Sequence, residues 1–145
     1  MVHQSMMINS QKVFVDTSAW IALINSSDNL AAKAKQILVR LNQQQVILVT
    51  TEFILLEVAD ALCKTNLRQK TYAYIHGIKQ VPDIIKIIPL EQSLLEEGWE
   101  IYHQYSDKDW GLTDCISFVV MRLEGITEAF TSDRHFQQAG FNKLM

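Results

Sequence analysis

Sixteen acidic side chains occur in the 145 residues, and most sit among polar neighbours. Glu91, Glu96, Glu97 and Glu100 read as the solvated face of a helix. Four others stand in apolar settings that predict burial. Asp16 follows Val13-Phe14-Val15, and Asp133 follows Phe130-Thr131-Ser132. Glu57 shares a helical face with Ile54 and Ala61, and Asp114 opens an apolar run with Phe118 and Met121 at helical spacing. A carboxylate in an apolar setting is costly unless something compensates it. Four brought together repel one another unless cations are bound. Hard cations with oxygen ligands, Mg²⁺ or Mn²⁺, suit such a set. The chemistry would be in-line attack of water on a phosphodiester, with the ion activating the water and neutralising charge on the phosphate.

Each acid also has a plain structural explanation. Asp16 is followed by Thr17 and Ser18 and fits a helix N-cap. Asp114 suits the first turn of a helix, and Asp133 a cap or turn. Glu57 could pair with Lys64 or bend outward beside Asp60. Thr17 and Thr113 are candidates for orienting a neighbouring carboxylate. Ser18 and Ser132 read as caps.

The acids converge only if the intervening elements carry them to one edge. Lys12–Asp16 reads as a strand, Thr17–Asn25 and Asn29–Gln44 as helices, and Val46–Thr50 as a buried parallel strand. Thr51–Asn66 and Leu67–Lys79 read as helices separated by a break near Asn66. Ile84–Ile88, between Pro82 and Pro89, is a third strand. Leu90–Tyr105 is a helix with a capping-box pattern at Ser93-Leu94-Leu95-Glu96, followed by a charged loop at 106–111. Leu112–Glu124 is an apolar helix and Glu128–Thr131 a fourth strand; a helical turn at His135–Ala139 leads to an edge strand at Phe141–Leu144. This alternation predicts an α/β chain: a three-layer α/β/α sandwich around a mostly parallel sheet of four to five strands. Asp16 and Asp133 then stand at carboxyl ends of strands, where open α/β sheets bind ligands. Asp114 and Glu57 lie near the same edge.

Composition narrows the class. Residues 12–145 read as one domain, and 1–11 as a flexible leader in which Met6 or Met7 could be alternative starts. No apolar window reaches membrane-spanning length, and 1–10 lacks the apolar core of a signal peptide. The net charge of −3 argues against generic, charge-driven nucleic-acid binding, but bound cations would reverse the local sign. Cys63 and Cys115 lie in apolar helical patterns and read as buried, reduced thiols, which fits a reducing cytoplasm.

Val-Phe-Val-Asp16-Thr-Ser-Ala, Leu-Leu-Glu57-Val-Ala-Asp-Ala-Leu, Leu-Thr-Asp114-Cys-Ile-Ser-Phe and Phe-Thr-Ser-Asp133-Arg-His-Phe resemble the four acidic motifs of PIN-domain ribonucleases. The likeness is strongest to VapC-type toxins of toxin–antitoxin pairs, and it runs from Lys12 to the end, including His-Phe-Gln-Gln-Ala-Gly-Phe. It implies an α/β/α sandwich and Mg²⁺- or Mn²⁺-dependent RNA cleavage. Asp16, Asp114 and Asp133 match the family's metal ligands, and Glu57 the acid that acts through water or binds a second ion. Some relatives carry Asp or Asn two positions after the last acid. This chain has His135 there, which reads as a packing or surface residue rather than a ligand.

The resemblance also implies a homodimer and a small antitoxin whose tail fills a groove near the acids. Trp20–Ile24 and Phe53–Leu55 could line that groove, although ordinary core suits most of them better. Lys108 and Arg134 are candidate phosphate contacts, whereas Lys64, Arg68 and Lys70 read as solvated surface. Trp110 could stack on a base or lock its loop to the core; His76 and His103 read as helix surface. Other readings are a housekeeping PIN nuclease in RNA processing and a catalytically silent RNA- or protein-binding module. A phosphotransferase with an Asp nucleophile usually wants a second acid two residues later, where this chain has Ser18. A phosphate-accepting signalling module clusters its acids early, which Asp114 and Asp133 do not suit.

Overall fold

The computed structural model describes residues 11–145. The leader proposed for 1–11 therefore lies, apart from Gln11, outside the described residues. Among these residues five strands form one sheet: β1 (Lys12–Val15), β2 (Ile47–Thr51), β3 (Ile85–Ile88), β4 (Glu128–Phe130) and β5 (Asn142–Lys143). Their spatial order is β3-β2-β1-β4-β5, and every neighbouring pair is parallel. Val13, Phe14 and Val15 have no exposed surface, as befits a central strand covered on both faces.

Among the described residues seven helices connect the strands: α1 (Thr17–Ile24), α2 (Ala31–Gln43), α3 (Glu52–Ala61), α4 (Thr65–Ile78), α5 (Gln92–Gln104), α6 (Leu112–Glu124) and α7 (His135–Gln138). The chain steps outward from β1 to β2 to β3, then returns to β4 on the other side of β1 and continues to β5. Right-handed crossovers put α1–α4 on one face and α5–α7 on the other. The helix contacts divide the same way: α1 touches α2, α3 and α4, whereas α6 touches α5 and α7. The result is the three-layer sandwich expected from the alternation of elements. The strand order reverses between β1 and β4, which makes that gap the topological switch point.

Helix α6 is the centre of the second layer, with Cys115 to Met121 buried without interruption. Phe118 meets Phe136 and Trp110 edge-on, at ring-centroid distances of 5.0 Å for each pair. Helix α5 approaches α6 closely because residue 98 is glycine. A Cβ there would lie 2.5 Å from Cγ1 of the buried Ile116. Gly125 ends α6 in the left-handed region (φ 68°), and its N–H and that of Ile126 satisfy the last carbonyls of the helix.

Several local expectations change. The break between α3 and α4 falls at residues 62–64 rather than near Asn66, which lies inside α4. Cys63 falls in that connection and is exposed, not buried, whereas Cys115 is buried as expected. Ser93 does not cap α5: Glu91 occupies the N-cap, with no side-chain cap bond, so the Ser93–Glu96 pair lies within the helix. Helix α2 starts at Ala31 rather than Asn29, because Asp28 first forms a turn by accepting the Leu30 N–H at 2.8 Å. Thr51 caps α3, accepting the Ile54 N–H at 3.0 Å.

Candidate active site

Asp16 ends β1 and occupies the N-cap position of α1. Its backbone carbonyl accepts the Ala19 and Trp20 N–H groups, but its side chain makes no cap bond. The carboxylate instead receives a hydrogen bond from the Thr131 hydroxyl, 2.7 Å from Oδ2. The backbone of Asp16 thus starts the helix while its side chain faces across the switch point toward the end of β4. Asp16 is buried, at 4% exposure, and burial pushes its carboxyl up to about 7. The Thr131 hydroxyl and the Thr17 amide favour ionisation, whereas the charges of Asp114 and Glu57 oppose it.

Thr131 has no exposed surface and joins three segments. Its Oγ1 lies 3.1 Å from Ser18 Oγ and accepts the Asp133 N–H at 3.0 Å. Ser18 Oγ in turn accepts the Ser132 N–H at 3.0 Å. This net ties the start of α1 to the loop that carries Asp133. Sequence reading passed over Thr131 because it reads as a strand residue. Only the pairing of β1 with β4, Val15 opposite Phe130, brings it beside Asp16.

Asp114 lies in the first turn of α6, and Asp133 in the loop after β4. Asp133 is also a turn residue, because its Oδ1 accepts the His135 N–H at 2.9 Å. The expectation for His135 is corrected here. Its Nδ1 lies 3.0 Å from Asp114 Oδ2 and 3.3 Å from Asp133 Oδ1. The short helix α7 turns the ring back toward α6, a direction that strand-end reasoning does not reveal. Burial raises the Asp114 carboxyl, with His135 opposing and Asp133 and Glu57 reinforcing.

Glu57 lies in the second turn of α3 and accepts a hydrogen bond from the Thr17 hydroxyl. It is exposed, contrary to the expectation from its apolar neighbours, and no pairing with Lys64 forms. Its position explains this: Glu57 lines an open cleft, whereas Ile54 and Val58 point into the core. Thr113 lines the same cleft, and its carbonyl accepts the Ser117 hydroxyl.

The cleft has a volume of about 520 Å³ and is lined by all four acids with Thr17 and His135. Gly111 and Leu112 also line it. Asp114, Asp133 and His135 offer ligand atoms within 4.8 Å of one another. Asp16 and Glu57 stand outside that tight group but face the same space. Three carboxylates and an imidazole arranged around Asp16 fit a divalent cation. They supply hard oxygen donors and one nitrogen, and clustered negative charge that a cation would relieve.

The PIN domain family matches residues 13–142, nearly the whole described chain. The chain belongs to the PIN-domain family. It is 28% identical over 130 residues to a Mycobacterium tuberculosis 23S rRNA-specific endonuclease, VapC20, covering 89% of this chain and 95% of that protein. The crystal structure of VapC20, described as a sarcin–ricin loop cleaving toxin, matches with a TM-score of 0.75 over the same shares. Two more distant structures share the fold. VapBC2 from Rickettsia felis, bound to a promoter DNA fragment, is 12% identical with a TM-score of 0.67 over 92% of this chain and 97% of its own. FitAcB from Neisseria gonorrhoeae is 15% identical with a TM-score of 0.64 over 92% and 96%. PIN nucleases are metal-dependent, and the acidic cluster of this chain has the ligand atoms that could bind a metal ion.

The remaining candidates lie around this centre. Lys108 does not line the cleft; it pairs with Asp107 at 3.4 Å in the neighbouring loop. Arg134 is exposed just beyond Asp133. Trp110 is buried, and its Nε1–H donates to Gln138 Oε1 at 3.0 Å, so it locks the loop to the core. Trp20, Ala22, Leu23, Ile24, Ile54 and Leu55 are core, and Ile21 alone of the first run lines the acidic cleft. Among the described residues no helix is long and apolar enough to cross a membrane.

Proposed function

We propose that this chain is a metal-dependent endoribonuclease and the toxin of a VapBC-type toxin–antitoxin pair, acting in the cytoplasm. The observation that carries this reading is the convergence of Asp16, Glu57, Asp114 and Asp133 on one cleft at the switch point of a PIN fold. Asp114, Asp133 and His135 would hold Mg²⁺ or Mn²⁺, with Asp16 as the fourth ligand and Glu57 acting through a water. The bound ion supplies an activated water and neutralises charge on the phosphate. The chain's own part is to fix the carboxylates: Thr131 orients Asp16, Thr17 orients Glu57, and the turn at Asp133 presents its carboxylate beside Asp114.

The relative named for 23S rRNA makes ribosomal RNA the first substrate to test. The family's antitoxin complexes support a small protein inhibitor as partner. Exposed Leu56 and Tyr72, lining an apolar hollow between α3 and α4, support a homodimer. The test is incubation of the purified chain with protein-free ribosomal RNA in EDTA, then with added Mn²⁺ or Mg²⁺. Discrete fragments are expected only after the ion is added. Equal cleavage in EDTA refutes the metal mechanism.

A further inference from the structure

A second depression lies beside the acidic cleft. Its volume is about 680 Å³, and Trp99, Tyr102, Lys108 and Trp110 are among its lining residues. Gly111 lines both depressions, so they meet at the N-terminus of α6, one turn before Asp114. Trp99 and Tyr102 stand one turn apart on α5, with centroids 5.3 Å apart and planes at 81°. They are 51% and 48% exposed, whereas Leu94 and Gly98 form the buried side of the same helix. Intramolecular packing therefore does not account for two large aromatic rings here. The floor is firm, because Trp110 is held by Gln138 and wedged against Phe118. Lys108 stands at the rim in an exposed pair with Asp107, a contact that costs little to exchange for a phosphate.

We propose that this hollow is a nucleobase subsite, stacking one unpaired base of the RNA beside the phosphate to be cut. The inference rests on the ribonuclease reading. A chain of net charge −3 offers an RNA backbone little general attraction away from the ion in its cleft. Lys108 and Arg134 add little to it, so a nucleotide beside the cleft is held better by a force that is not coulombic. Stacking on an aromatic face is such a force and accepts any base. It requires an unstacked base, and therefore a loop, bulge or single strand rather than a duplex. The continuity through Gly111 puts that base next to the acids rather than at a remote docking point.

The test compares wild type, Trp99→Ala, Trp99→Phe and Tyr102→Ala in Mn²⁺-supported cleavage of protein-free ribosomal and transfer RNA. Trp99→Ala is expected to raise KM about tenfold, within the range of about fivefold to 150-fold for one lost stacking contact, with kcat little changed. Trp99→Phe restores most of the loss, and Tyr102→Ala shows a smaller rise. The Trp99→Ala defect persists at high salt, where phosphate contacts fade. A wild type that cuts RNA, with Trp99→Ala matching it in KM, overturns the subsite and leaves the ribonuclease reading standing. A wild type that cuts neither RNA fails the ribonuclease reading itself, and the subsite with it. A wild-type dimer that Trp99→Ala splits, seen by sedimentation, overturns the subsite by assigning the rings to contact between copies.

Discussion

Replacing Asp16 by Asn separates what this residue does for the fold from what it does for chemistry. The side chain is buried, and burial holds its carboxyl near 7 rather than at the ordinary 3.8. A carboxyl raised in the folded state binds its proton more tightly there than in the unfolded chain. Its contribution is therefore most favourable below about 3.8 and is lost as pH rises through about 7. A shift of about three units corresponds to a cost of about 4 kcal/mol at pH 8 and about 1.5 kcal/mol at pH 5. Asn is nearly the same shape, carries no charge and still accepts from Thr131. In EDTA, Asp16→Asn should therefore be more stable than wild type by up to about 4 kcal/mol at pH 8, and the gap should shrink toward pH 5. Glu124, lowered by Lys86 and Lys12, is common to both proteins and cancels in the comparison, whereas the charge of Asp114 opposes ionisation of Asp16 and belongs to the gap. Urea unfolding at the two pH values measures the gap. The same variant should lose metal-dependent RNA cleavage, a gain in stability at the expense of function. A gap that is absent at pH 8, or unchanged between the two pH values, refutes the account of burial. Wild-type cleavage by the variant refutes the catalytic role.

Thr131→Val removes the donor to Asp16 and leaves the Asp133 N–H without its acceptor. It should cost about 1–3 kcal/mol in urea unfolding at pH 8, and raise the Asp16 carboxyl further. His135→Ala removes the one nitrogen donor of the tight group, so Mn²⁺ affinity, measured by calorimetry without RNA, should fall by about tenfold or more. Gly98→Ala drives a methyl into Ile116 where α5 meets α6, and should cost about 1–3 kcal/mol with a matching fall in Tm.

Much of the chain was legible because its signals are local. Val13-Phe14-Val15 reads as a short apolar strand, and Ala31–Gln43 shows helical spacing throughout. The alternation of such elements gave the parallel sheet, and strand ends gave the positions of Asp16 and Asp133. Glu57 shows the limit of that reasoning. Its apolar neighbours predict burial, but exposure depends on whether another element covers that side of the helix, and here a cleft opens there. Ser93–Glu96 has the capping pattern without the cap, because the helix has already started one residue earlier, at Gln92.

The sequence by itself determined which carboxylates line the cleft, because side-chain type and strand or helix position are encoded within a few residues. The tertiary structure decided how those carboxylates are held and what joins them. Thr131 reaches Asp16 across 115 residues, and His135 meets Asp114 across 21. Those meetings follow from β1 lying beside β4 and from α7 folding back on α6, pairings between distant segments that no local pattern records.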